Sequence, residues 1–329
     1  MMFRRVLLAS MFVAVTLVLA IFASIPSTDD FDPSNPLWNG MSNFVTTFRV
    51  CTVELTHIAT LDPSYLLLIV GPDKPFTDDE VSKIRRFLES GGTVVVFDDF
   101  GTGIQLLKRL GLNVEVYRGV LSDPLKYYRG YRFPRVEILN KSVVFDYGTA
   151  LARADGACIG YSSAFSYVDL DLDNEPDNNE PRGPLCIAIE KNIGKGRIIF
   201  VTDADPAINA LIWTNMDFLR KLFENRSIAL VVDHWHHTLY TTARNALLKV
   251  AQLIFGTSLR YPFAVSMSVL LIVATSRFSI LREGRSTYSD REVDRLIRRI
   301  LARHPDWKRE DVEKVVREVL CLRRTRSRS

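Results

Sequence analysis

The sequence predicts an α/β fold: a parallel sheet with helices on both faces, flanked by two transmembrane helices and a small helical cytoplasmic tail. Three observations predict it. Tyr65 to Val70 and Thr93 to Phe97 are unbroken apolar runs of strand length, as strands buried on both faces should be, with a helix-period segment between them. Val6 to Ile25 carries no charge and is long enough to cross a hydrocarbon core of ~30 Å. Charge is unevenly placed: from Arg277 onward there are 16 Lys/Arg against 9 Asp/Glu, in a chain whose net charge is only +4.

The elements follow in order. Arg4 and Arg5 precede the first apolar stretch, and Asp29, Asp30 and Asp32 follow it. The positive-inside rule then leaves residues 1–5 in the cytoplasm, makes 6–25 a span and exports what comes next. Residues 26–64 read as a linker and entry segment, with Met41 to Arg49 as a short helix. Residues 65–258 form the main domain, outside the cell. There Thr77 and Glu80 have the spacing of a capping box, Val81, Ile84, Phe87 and Leu88 recur at helical period, and Gly91-Gly92 stops the helix. Asn113 to Glu190 is less regular, with β-like runs at Ser142 to Phe145 and Leu185 to Ile189. Strands return at Gly196 to Thr202 and Ser227 to Val232, separated by a helix around Asn215 to Phe223. This alternation places helices on both sheet faces.

A second apolar stretch within 259–281 is followed by Arg277, Arg282 and Arg285, which completes an in–out–in topology. Residues 282–329 form the basic cytoplasmic tail, with two amphipathic helices, Ser289 to Ala302 and Lys308 to Leu322. Their stripes are Val293, Leu296, Ile297 and Ile300, then Val312, Val315, Val316 and Val319, and the tail ends at residue 329. Beside a membrane this basic tail faces anionic lipid, so the bilayer and no nucleic acid is the expected partner. A composition of 47% hydrophobic and 24% charged residues excludes wholesale disorder. Of the four cysteines, Cys51, Cys158 and Cys186 fall in the exported part, where a pair can form a disulfide. No spacing among them reads as a metal knuckle.

Two groups of residues can carry chemistry. Asp169, Asp171, Asp173, Asp177 and Glu180 fall at positions 1, 3, 5, 9 and 12 of an EF-hand-like calcium loop, and Glu175 at position 7 completes the acidic set. Asn174 occupies position 6, where a left-handed residue is required. The competing reading is an acidic loop that only keeps the surface soluble. The second group lies at the ends of the strands: Asp98, Asp203, Asp205, His234 and His236. Ligands bind beyond the carboxyl ends of parallel strands, so these residues are candidates for a metal-dependent hydrolase. Asp is also an ordinary helix cap at such positions.

The run Tyr65 to Pro72, Phe76-Thr77 and Gly91 to Asp99 resembles the class I glutamine-amidotransferase-like domain, and more closely an uncharacterised membrane-tethered family that uses it. The Gly194 to Asp205 and Asp233 to His237 segments share the resemblance, which covers roughly residues 30 to 260. It implies a flavodoxin-like sheet. In true glutaminases the strand ending near Phe97 leads to a cysteine nucleophile, whereas here Asp98 to Gly103 follows and no cysteine lies between Cys51 and Cys158. Glutamine hydrolysis is therefore not expected. Members of that family are often encoded near MoxR-type ATPases and transglutaminase-like membrane proteins, which implies a part in surface assembly. The expected function is a non-catalytic, membrane-anchored binding protein with a calcium loop, taking a small ligand or a surface protein partner. The alternatives are the metal-dependent hydrolase and a structural subunit of a membrane complex.

Overall fold

A computed structural model of the chain describes residues 2–256 and 290–316. Its centre is a nine-stranded sheet whose two halves are built differently. In one half, β1 (Val50–Val53), β13 (Ile228–Val231), β2 (Leu66–Val70), β3 (Thr93–Phe97) and β12 (Gly196–Val201) lie side by side in that order, all parallel. In the other half, β11 (Cys186–Ile193), β9 (Ala157–Tyr161), β6 (Arg135–Ile138) and β7 (Lys141–Val144) extend from β12 with every pairing antiparallel. Two small ladders stand apart: β10 (Tyr167–Asp169) with β5 (Val120–Ser122), and β4 (Glu115–Val116) with β8 (Leu151–Arg153).

Why the parallel strands are apolar throughout follows from the period-two alternation of side chains. Leu66, Leu68, Val70, Val95, Phe97, Ile199 and Val201 face one core, and Leu67, Ile69, Val94, Val96, Ile198 and Phe200 face the other. The first core is closed by α2 (Ser42–Thr47), through Phe44, and by α5 (Met216–Phe223), through Phe218, Leu219, Leu222 and Phe223. The second is closed by the 3-10 turn Leu55–Thr60, by α3 (Asp78–Glu89) and by α4 (Gly103–Arg109). Helix α3 starts as its sequence dictates. The Thr77 hydroxyl accepts from Glu80 N, and the Glu80 carboxylate accepts from Thr77 N at 2.7 Å. Thr77→Ala is expected to cost about 1 kcal/mol, read as a shift in denaturant midpoint.

The entry segment is part of this unit, which runs from Phe22 to Leu248. Met41 and Phe44 are fully buried, and β1 adds the outermost parallel strand. A disulfide joins Cys158 on β9 to Cys186 on β11, and Cys51 is free and exposed. A second unit holds Met1–Ile21 and Lys249–Ser329. Within it, the helix Asp290–Arg303 and the helical stretch 309–316 bury Val293 and Ile297 against Val312 and Val316, while Leu296 and Val315 stay exposed. Val319 lies outside the described residues.

Two expectations are corrected. Val6 to Ser24 does become helical, inside α1 (Met2–Ser24), yet among the described residues no helix is long and apolar enough to cross a membrane. The second expected span, 259–281, lies outside the described residues. Placement of the main domain outside the cell and of both termini in the cytoplasm rested on the two spans, and falls with them. The glutamine-amidotransferase-like, flavodoxin-like sheet is not found either. That fold orders five parallel strands 2-1-3-4-5, whereas here β1 and β13 lie outside β2 and the far half is antiparallel. The physical reason is the long passage from β3 to β12, whose strands satisfy the far edge of β12.

Candidate functional site

The carboxyl ends of β2, β3, β12 and β13 carry the polar residues, because each strand must leave its apolar layer there. Asp98 follows Phe97 directly. One of its oxygens accepts from Gly101 N at 3.0 Å and the other from Gly103 N at 2.7 Å. A side chain at Gly101 or Gly103 would collide with that carboxylate, which explains both glycines. Thr202 extends β12 and donates its hydroxyl to the carbonyls of Thr149 and Ile187. The next residue, Asp203, is fully buried, and accepts from Asp205 N at 2.9 Å and Asp146 N at 2.8 Å.

These turns bring Asp99, Asp203 and Asp205 together, each offering a carboxylate oxygen within 4.8 Å of the others. The adjoining cleft has a volume of about 540 Å³. Its lining includes Asp29, Asp30, Asp73, Asp98, Asp99 and Asp205 but no Lys or Arg, and Phe31, Phe100 and Trp235 supply apolar wall. Uncompensated charge has the expected effect on acidity. Burial, with Asp99 beside it, pushes Asp98 up to about 7. Burial and then Asp205 hold Asp203 well above the usual carboxylate range; burial and then Asp146 do the same to Asp205. Asp99 and Asp146 are also raised, chiefly by burial.

The remaining strand-end candidates go elsewhere. His234 is buried, stacked on Phe76 at 4.3 Å between ring centroids, with Nε2 3.7 Å from Glu80 and Nδ1 3.4 Å from Asp233. His236 lines the cleft but is exposed and pairs with Asp73 at 2.9 Å. His237, not singled out from sequence, lies 3.2 Å from Asp29, whose carboxylate also accepts from the Thr238 amide and hydroxyl. Thr238 and its neighbours hold Asp29 below the usual range, overcoming the burial that opposes them. Sequence reasoning named Asp98 where the cluster uses Asp99, and missed Asp146; Asp146 follows a β-like run and carried that signal.

Of the expected loop ligands, Asp169, Asp171 and Glu180 come within 4.8 Å of one another through one oxygen each. Asp169 and Glu180 are buried and Asp171 is exposed. Asp173, Glu175 and Asp177 are exposed and outside the cluster; Asp173 accepts from Glu175 N instead. Asn174 has the left-handed conformation expected of it, φ +66°, and Leu172 shares it at +67°.

Among solved structures, the N-terminal domain of mmIFT52 is 16% identical, with 55% of this chain and 87% of that one covered and a TM-score of 0.41. An exo-β-1,4-mannosidase from Opitutaceae bacterium strain TAV5 is 10% identical over 49% of this chain, with a TM-score of 0.26. A β-galactosidase from Bacillus circulans sp. alkalophilus is 12% identical over 56% of this chain, with the same TM-score. The chain spans only 23% of the length of each glycosidase. Comparison with curated proteins gives no match. Residues 33–215 match the family described as Domain of unknown function (DUF4350), which is more than half of the sequence. The chain belongs to the DUF4350 family.

Proposed function

We propose that the chain is a non-catalytic binding protein that takes a divalent cation at Asp99, Asp203 and Asp205, in the cleft beyond the parallel strands. The observation that carries this reading is the convergence of three carboxylates, one of them fully buried, in a cleft lined without a basic side chain. Carboxylates held this close repel one another unless protons or a cation intervene. A volume of about 540 Å³ exceeds what one ion fills, leaving room for an oxygen-bearing ligand on the metal.

The hydrolase reading draws on the same cluster but needs a base beside it. His234 is packed against Phe76 and Glu80, and Asp98 spends both oxygens on its own turn. Binding is therefore the better supported reading.

The test is calorimetric titration of Mg²⁺ and Mn²⁺ into chelator-treated protein. Asp205→Asn is expected to weaken binding at least roughly tenfold, since it removes one anionic ligand from a site of three. Equal affinity in wild type and variant would place the ion elsewhere and end the proposal.

A further inference from the structure

The acidic loop after β10 holds a second cluster, on another part of the main unit and independent of the cleft. Asp169 ends the β5–β10 ladder with its side chain on the same face as Tyr167, two residues earlier, and Ser122, the cross-strand partner of Tyr167. Asp169 is fully buried, and one of its carboxylate oxygens, Oδ1, has no hydrogen-bond partner. Arg132 Nε is likewise buried without a partner. Leaving such a group unsatisfied costs about 1–3 kcal/mol, so the bare, buried Oδ1 of Asp169 marks a place built for something more than protein.

The rest of the loop is already tied in ligand-ready form. Glu180 returns from the far end to accept from Leu170 N at 2.7 Å and Asp177 N at 3.0 Å. Asp169 Oδ2 accepts from Asn174 N at 3.1 Å, which closes the turn that the left-handed Leu172 and Asn174 permit. Arg132 lies 3.4 Å from Asp169 Oδ2 and donates to the Leu172 carbonyl at 2.6 Å. Its single positive charge offsets one of the three carboxylates of Asp169, Asp171 and Glu180, leaving a charge that one divalent cation matches.

We infer that Asp169, Asp171 and Glu180 form a calcium site, with the unpartnered Oδ1 of Asp169 as its buried anchor. Hard oxygen donors on a loop that can add backbone carbonyls suit Ca²⁺, which takes six to eight oxygens in flexible geometry. With three carboxylates the affinity falls in the ~0.1–1 mM class of calcium modules. Asp173, Glu175 and Asp177 take no direct part.

The experiment uses the full chain after chelation, melted in increasing CaCl₂ up to about 10 mM, because binding to the native state alone raises stability with concentration. Three proteins are compared: wild type, Asp171→Asn and Asp205→Asn. Asp171 is exposed, so its variant folds. The melting temperature of wild type and of Asp205→Asn is expected to climb through the millimolar range. Asp171→Asn should need at least roughly tenfold more calcium for the same rise. Identical curves for wild type and Asp171→Asn overturn the site, as does a flat wild-type response. A rise lost only in Asp205→Asn would assign the calcium to the strand-end cleft instead.

Discussion

Between pH 4 and pH 8 the metal-free protein is expected to lose stability, with Asp98 alone contributing on the order of 4 kcal/mol. Asp98 has an unfolded value near 3.8 and a folded value of about 7. In that window the native state holds a proton that the unfolded chain has released. Its contribution is therefore complete below pH 4 and disappears as pH rises through 7. Asp203 and Asp205 are shifted in the same direction and deepen the loss. Asp29 and Asp233 are shifted downward and oppose it: their contribution is present above the unfolded value and is lost only in acid. Urea midpoints in chelator from pH 4.5 to 8 measure the sum. A midpoint that is flat or climbs with pH would mean that the strand-end carboxylates are charge-compensated. With divalent metal added the slope should shrink, since the ion replaces the protons the cleft otherwise holds.

Phe97→Ala is expected to destabilise the protein by about 3–5 kcal/mol, the range for emptying an aromatic site in a packed core. Phe97 is fully buried between Val70 and Val201 on the neighbouring strands, with its ring 6.3 Å from that of Phe218 on α5. Its carbonyl also accepts from Gly71 N at 2.8 Å, at the lip of the cleft. The same substitution should therefore weaken metal binding, by loosening the strand end that aims Asp98 and Asp99. Denaturant midpoints and the Mg²⁺ titration test the two halves separately. A loss below about 1 kcal/mol would show that neighbouring side chains collapse into the space.

Legibility in the sequence followed burial. Leu66–Val70, Thr93–Phe97, Gly196–Val201 and Ile228–Val231 could be read because strands covered on both faces have no polar position to blur the run. Helix α3 was legible from Thr77, Glu80 and the Val81 to Leu88 stripe. In the antiparallel half the β-like runs at Ser142 to Phe145 and Leu185 to Ile189 fall on β7 and β11, but β6 and β9 were not legible. Strand β6 alternates Arg135 out, Val136 in, Glu137 out, Ile138 in, over only four residues, and β9 leaves Ala157 and Tyr161 exposed. Strand β1 was hidden in an apparent linker, since its place at the sheet edge asks little apolar surface of it. The acidic loop announced itself by spacing, but spacing is silent on which carboxylates turn inward. That was settled by β10, which carries Asp169 into the core. The cleft depends on Asp99, Asp203 and Asp205, and no local pattern links residues a hundred positions apart. For the membrane, uncharged length and flanking arginines were the warrant, and among the described residues no helix is long and apolar enough to cross one.

The Cys158–Cys186 bond gives this part of the chain a covalent topology that is not linear. Residues 158 to 186 form a closed ring, and the whole of β10 and the acidic loop lies on its circumference. A backbone break at Leu172 or Asp173 therefore opens the ring without dividing the molecule. The piece that brings β2 and β3 and the piece that brings β12 and β13 stay on one covalent framework until the sulfurs are reduced. A cut in this exposed loop thus leaves the two pieces of the sheet joined.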